Sequence, residues 1–83
     1  MKNSRVTIML VALHAGAVMK EHRAAGPMTL AVIEGSIHFK ACGEELVMRR
    51  GGLLALGDAI QHEVEALEES AFVLTVNKPA KQT

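Results

Sequence analysis

Short apolar or alternating runs, separated by turn signals roughly every eight to twelve residues, dominate this chain. Several runs alternate polar with apolar side chains, which is the period of a strand with one buried face. The runs cover residues 6–13, 29–33, 36–40, 45–49, 53–56 and 71–76. This spacing predicts an all-β domain of sandwich or barrel type.

Residues 58–70 carry a different signal. Asp58 and Gln61 match a capping box, in which an N-terminal acid and a residue three positions on satisfy free helix amides. Ile60 and Val64 recur at helical spacing. Local propensity alone therefore predicts a helix here, and only the family resemblance given below replaces it with a turn and a strand.

The N-terminal residues allow two interpretations. Basic residues precede the apolar run 6–13 and small residues follow it at 15–17, which is the outline of a secretory signal peptide. The interpretation we favour is a buried first strand, because removal of this segment would leave too short a chain for a one-domain barrel. The run is too short to cross a bilayer, and we expect no membrane partner.

Charge and composition exclude one large class of function. The chain has nine basic and nine acidic residues and no Trp or Tyr. A nucleic-acid binder needs basic side chains against phosphates and commonly aromatic rings against bases, so we expect no nucleic-acid partner.

Length and cysteine content give the domain organisation and the compartment. The 83 residues suffice for one domain, which we assign to residues 1–76, with residues 77–83 as a disordered C-terminal tail. Cys42 is the only cysteine, which excludes an intrachain disulfide and suits a reducing compartment. We therefore expect a cytoplasmic protein.

Three glycines and two histidines stand at the spacings of two known sequence motifs. Gly16, His22 and Gly35 are in register with the opening glycine, first histidine and closing glycine of the first cupin motif. Gly51 and His62 are in register with the opening glycine and the histidine of the second. Most of the chain is covered, and the sequence resembles the small single-domain, RmlC-like cupins.

The resemblance implies a cupin-type jelly-roll β-barrel, also called a double-stranded β-helix, with a ligand cavity. In many cupins that cavity holds a divalent metal on three histidines and a glutamate. Here Ala24 occupies the position of the second motif histidine and Met28 that of the glutamate. The resemblance therefore implies that two of the four usual ligands are present, His22 and His62.

Two functions are compatible with this set of residues, and a third hypothesis is a structural or sensory subunit whose main product is the dimer itself. The first is a protein that binds a small, fairly apolar ligand in contact with His22, Ala24, Met28 and His62, with a degenerate metal site. The second is a metal-dependent enzyme of the dioxygenase or isomerase class, which uses His22 and His62 with a third ligand that the sequence does not identify. Zinc, nickel, iron or manganese would then be weakly held, or copper if the Met28 thioether takes part.

The run 6–13 also predicts association. It is apolar on both faces, whereas a strand with one solvated face alternates. The chain also shows fewer strand signals than an eight-stranded jelly roll requires. We therefore expect a homodimer in which the first strand pairs with a second copy, or exchanges into it.

The remaining histidines are weaker site candidates. His38 should face solvent, because Ile37 and Phe39 occupy the opposite face of the same run. His14 follows the first run, where it either lines the pocket or lies at an edge.

Overall fold

Two four-stranded antiparallel sheets make up the protein in a computed structural model, which describes residues 4–23, 26–57 and 60–79. The first sheet has the order β1-β8-β3-β6 and the second the order β2-β7-β4-β5. The strands are β1 (Ser4–Leu13), β2 (Val18–Arg23), β3 (Met28–Glu34), β4 (Ser36–Ala41), β5 (Glu44–Arg49), β6 (Leu53–Leu56), β7 (Gln61–Ala66) and β8 (Ser70–Pro79). These described residues contain no helix, so none of them forms a helix able to cross a bilayer. The all-β prediction is confirmed.

Alternating burial along the central strands explains why these segments pair as they do. In β3, Met28, Leu30 and Val32 are buried, whereas Thr29 is exposed and Ala31 half-buried. The same alternation buries His62, Val64 and Ala66 in β7 and Ser70, Phe72 and Leu74 in β8. Each sheet therefore turns one face toward the other, and the core lies between them.

The strand β7 replaces the helix that local propensity favours over residues 58–70. Its backbone pairs with β2 on one side and β4 on the other, and every second side chain is buried. Burial with period two overrides the helical spacing of Ile60 and Val64, as the resemblance implies. Asp58, the predicted helix cap, lies outside the described residues.

The strand β2 corrects the expectation that the chain is short of strands. Residues 20–23 are all polar and give no alternation, so nothing in the sequence marked them as a strand. A register shift between Met19 and His22 further breaks the pattern. With β2 included, the described chain has the eight strands of a jelly roll.

The last strand extends past the predicted end of the domain, and the first run forms a strand as predicted. The strand β8 runs to Pro79, three residues past the predicted end of the domain at residue 76, and residues 80–83 lie outside the described residues. The apolar run 6–13 lies within β1, which pairs with β8 along all ten of its residues.

The two ends of the barrel are built differently. We call the end at which β2 and β6 end and β3 and β7 begin the upper end. At the lower end, the Ser70 hydroxyl accepts a 3.1 Å hydrogen bond from the Ser36 amide and lies 2.9 Å from the Ser36 carbonyl oxygen, to which it can donate. The Gly16 amide donates to the Ala66 carbonyl at 2.8 Å. These bonds tie the lower end together.

The turn from β3 to β4 at the lower end has room only for glycine. Gly35 has a φ of +77°, in the left-handed region that side chains disfavour. A Cβ atom there would lie 2.5 Å from the Ser70 hydroxyl oxygen and closer still to the Glu69 carbonyl oxygen. Gly51 offers a matched comparison, because its φ is +89° but a Cβ there would meet no atom within 4 Å.

We expect Gly51→Ala to lower the free energy of unfolding by about 1–2 kcal/mol, the cost of a left-handed alanine. Gly35→Ala should lose roughly 1–3 kcal/mol more, because the Cβ also overpacks the turn. Urea denaturation of the two variants measures the difference. Equal losses would contradict the close approach of Gly35 to Ser70.

Candidate functional site at the upper end of the barrel

The register of the second sheet aligns four residues in one row at the upper end. His62 in β7 is directly opposite His22 in β2 and, on its other side, Ala41 in β4. Ala41 is opposite Glu44 in β5. Directly opposed residues of an antiparallel pair have Cα atoms about 4.5–5.5 Å apart, so the backbones of the two predicted site histidines are neighbours.

Met28 lies on the opposite wall of the same end. It is buried, and it is directly opposite Leu56 in β6 and Val76 in β8, which both pack against the core. The strand β2 ends and β3 begins at the upper end, as β6 ends and β7 begins there. The row of Met28 on the first sheet and the row of His62 on the second therefore lie at the same end of the barrel. Ala24 lies outside the described residues.

Burial and two contacts, with Phe39 and with Ile60, hold the imidazole of His62 in place. Its side chain is buried, with 1% of the residue exposed. The ring stacks on Phe39 with centroids 5.9 Å apart and planes inclined by 12°. Its Nδ1 lies 3.1 Å from the Ile60 carbonyl oxygen. Because a carbonyl can only accept, Nδ1 carries the proton, and in the neutral ring the lone pair belongs to Nε2.

Sequence reasoning missed Glu44 and the partnership of Phe39 with His62. A signal for Glu44 was present, because it precedes Leu46 and Met48 in the same two-residue alternation. The stacking of Phe39 on His62 had no such signal, since it joins β4 to β7, and all of β5 and β6 lie between them in the sequence. The sequence likewise gave no indication that Ala41 is a neighbour of His62, because that follows only from the β4–β7 pairing.

The other two histidines lie away from this row. His14 is highly exposed at the lower end, where its Nδ1 lies 2.8 Å from a Glu69 carboxylate oxygen. That hydrogen bond, together with the carboxylate charge, raises the pKa of His14. His14 therefore lies at an edge of the barrel, which is one of the two positions predicted for it. His38 is on the outer face of the second sheet, as predicted, and its Nε2 lies 2.8 Å from a Glu45 carboxylate oxygen.

The described residues do not supply the donors of the usual cupin metal site. A firm site needs three or four protein ligands. His62 offers Nε2 and the His22 position lies opposite, but a thioether stands at residue 28. Glu44 is exposed, and its strand β5 is two strands away from β7, so that the backbones of Glu44 and His62 are about 10 Å apart. No group of three His, Cys, Asp or Glu side chains converges within the described part of the chain.

No protein-family profile and no curated protein sequence matches the chain. Solved structures, in contrast, match over nearly its whole length. A cupin superfamily protein from Desulfitobacterium hafniense has a TM-score of 0.86 at 13% identity, over 94% of this chain and 78% of that one. An RmlC-like cupin family protein with a double-stranded β-helix fold, from Methanocaldococcus jannaschii, has a TM-score of 0.81 at 15% identity, over 94% and 81%.

A larger enzyme contains the same fold. The G106A mutant of salicylate 1,2-dioxygenase from Pseudoaminobacter salicylatoxidans has a TM-score of 0.78 at 15% identity, over 86% of this chain and 20% of that one. The protein has the cupin fold, and the resemblance drawn from its glycines and histidines is confirmed at that level. Function has to be argued from the site, because one fold hosts many activities.

The contact with Ile60 predicts a single tautomer for His62. Two-dimensional ¹⁵N–¹H correlation spectra of the histidine rings should show Nδ1 protonated and Nε2 unprotonated in the neutral ring of His62. The exposed ring of His14 serves as the internal control, because it should change its spectrum freely with pH. Protonation of Nε2 in the neutral His62 ring would contradict the assignment.

Proposed function

We propose that this protein binds a small, fairly apolar ligand at the upper end of the barrel, in a degenerate metal site that keeps two of the four usual cupin ligands, His22 and His62. The observation that carries the proposal is the buried Met28 on the wall opposite His62, at the position where the cupin motif has a glutamate. Leu56 is directly opposite Met28 in the first sheet, and Ala41 is directly opposite His62 in the second. Mostly apolar walls with few polar groups are typical of small-molecule sites.

The residues of the site divide into two roles. His62 provides a hydrogen-bond acceptor at Nε2, held in orientation by Phe39 and by the Ile60 carbonyl. Met28 provides an unbranched, polarizable side chain that adapts to the shape of an apolar ligand. We assign His22 to the site from its register opposite His62 and Ala24 from its place in the motif.

We propose a cytoplasmic location for the same protein. Cys42 is exposed in the turn between β4 and β5 and forms no disulfide. An exposed free thiol persists in a reducing compartment.

The second candidate is a metal-dependent cupin enzyme of the dioxygenase or isomerase class. It is favoured by one observation: metal-binding histidines commonly donate their second ring N–H to a backbone carbonyl, as His62 does to Ile60. Such an enzyme would use His22 and His62 with a third ligand still to be identified. Elemental analysis distinguishes the candidates, because one tightly held metal ion per purified chain supports the enzyme and a metal-free chain supports the binding protein.

Methionine methyl groups provide a direct test of the binding proposal. Phenol is a suitable probe, because it is apolar and its hydroxyl can donate to Nε2 of His62. Titration of protein carrying ¹³C-labelled methionine methyls should shift the resonance of Met28. The resonance of Met48 should stay in place, because this buried residue pairs with Ile37 toward the lower end.

The variant His62→Phe and the probe toluene are the matched controls. Loss of one hydrogen bond should weaken phenol binding by about tenfold, which is worth roughly 1–1.5 kcal/mol. Toluene has no hydroxyl and should bind both proteins alike. If phenol leaves Met28 unshifted, or shifts Met28 and Met48 equally, the ligand site is not at the upper end.

A further inference from the structure

Two residues of β5 face the interior of the barrel and are nevertheless exposed. Leu46 is directly opposite the buried Phe39, and Glu44 is directly opposite Ala41. Directly opposed residues share a face of the sheet, so both side chains are on the inner face. Leu46 is 42% exposed, whereas Met48, the next inward residue toward the lower end, is 5% exposed. The interior is therefore open to solvent along the upper part of β5.

The strand β6 provides the other side of this opening. The strands β5 and β6 are edge strands of the two sheets, and the short turn 50–52 joins them at the lower end. The inward residues of β6, Leu54 and Leu56, are half-buried and pack against the core. We call the space between the two strands, lined by Glu44, Leu46, Leu54 and Leu56, the slot.

The slot is closed at its lower end. The Gly51 amide donates to the Val32 carbonyl at 2.9 Å, and the Val32 amide donates to the Gly52 carbonyl at 3.0 Å. A Cβ atom at Gly52 would lie 3.5 Å from the methyl carbon of Met48, so the turn packs closely on that side chain. The slot therefore widens from this turn toward the upper end.

The slot has the thickness of one layer of side chains. Packed sheets lie about 10 Å apart, and the side chains of their inner faces fill that distance. A helix is itself about 10–12 Å across and does not fit, whereas an extended alkyl chain can replace one layer of side chains. Leucine side chains on both walls suit such an apolar occupant.

The slot is continuous with the candidate site. Leu56 is directly opposite Met28, and Leu46 is directly opposite Phe39, which stacks on His62. The Cα atoms of Leu46 and His62 are two strands and two residues apart, which is roughly 12 Å. A molecule longer than a single aromatic ring can therefore contact both places.

We propose that the slot binds the unbranched alkyl chain of a ligand whose hydrogen-bonding head group lies against Met28 and His62. The inference rests on the proposed function and names the class of ligand, a small molecule with a polar head and an apolar tail. The tail would cover Leu46, Leu54 and Leu56 from water, and this burial of apolar surface stabilises the complex.

A second inward residue is exposed at the opposite margin of the barrel. Met9 of β1 is directly opposite Leu74 and is 44% exposed. Leu74 is 3% exposed and separates Met9 from β3, whereas the neighbour of Met28 on one side is β6, a wall of the slot. The tail of a ligand bound at Met28 is therefore expected in the slot and not at the β1 margin.

Titration with phenol and with 4-butylphenol tests the inference. In protein with ¹³C-labelled methionine and leucine methyl groups, both compounds should shift Met28, and 4-butylphenol should in addition shift Leu46 and Leu54. Leu53, which is 73% exposed on the outer face, and Met9 should keep their resonances. 4-Butylphenol should bind about tenfold more tightly than phenol or better, because each fully buried methylene contributes about fourfold.

Leu46→Ser and Val47→Ser are a matched pair of variants at neighbouring positions. Val47 is 48% exposed, and it is opposite His38 on the outer face of the second sheet. Leu46→Ser should lower the affinity for 4-butylphenol about fivefold and leave that for phenol unchanged, whereas Val47→Ser should change neither. Leu46→Trp fills the slot and should remove the advantage of 4-butylphenol over phenol. Circular dichroism checks that each variant keeps the fold.

The proposed function and this inference fail in different ways. If phenol leaves Met28 unshifted, both are wrong. If phenol shifts Met28, three results overturn the inference alone: 4-butylphenol binds no more tightly than phenol, it shifts Met9 in place of Leu46, or it binds Leu46→Ser and the unaltered protein alike.

Discussion

Alternate burial along the central strands β3, β7 and β8 fixes the position of everything else in this protein. Each of these strands is paired on both sides, so a slip of one residue would turn Leu30 or Phe72 toward solvent and bring polar neighbours into the core. The register that avoids this slip is also the one that sets His62 opposite the His22 position. On the outer side, it aligns Leu10 with Leu53 across the first sheet.

The lower end of the barrel contributes to stability, and the upper end contains the candidate site. At the lower end, Gly35, Ser36 and Ser70 close the turn between sheets with hydrogen bonds and a contact that excludes any side chain. At the upper end, Met28 joins the core in a position where an unpaired carboxylate would be costly to bury. A methionine where the cupin motif has a glutamate therefore adds apolar packing and supplies no carboxylate.

Much of the fold could be predicted from the sequence, because turns and two-residue alternation are local signals. The strand β2 could not be predicted, because residues 20–23 are polar and a bulged strand with few apolar residues shows no two-residue alternation. The proximity of the His22 and His62 positions followed from motif spacing. The stacking of Phe39 on His62, and the joining of Leu10 with Ala31 and Leu53 on one surface, depend on pairings between distant strands, which a single sequence does not reveal.

The central claim is that the upper end is a cupin site that lacks two ligands. Calorimetric titration with zinc and nickel tests it on the unaltered protein and on the double variant Ala24→His with Met28→Glu. The unaltered protein should bind weakly, and the variant about 100-fold more tightly or better, because four donors then converge. Equal weak binding would show that these positions do not converge, and tight binding by the unaltered protein would show a third ligand and contradict the claim.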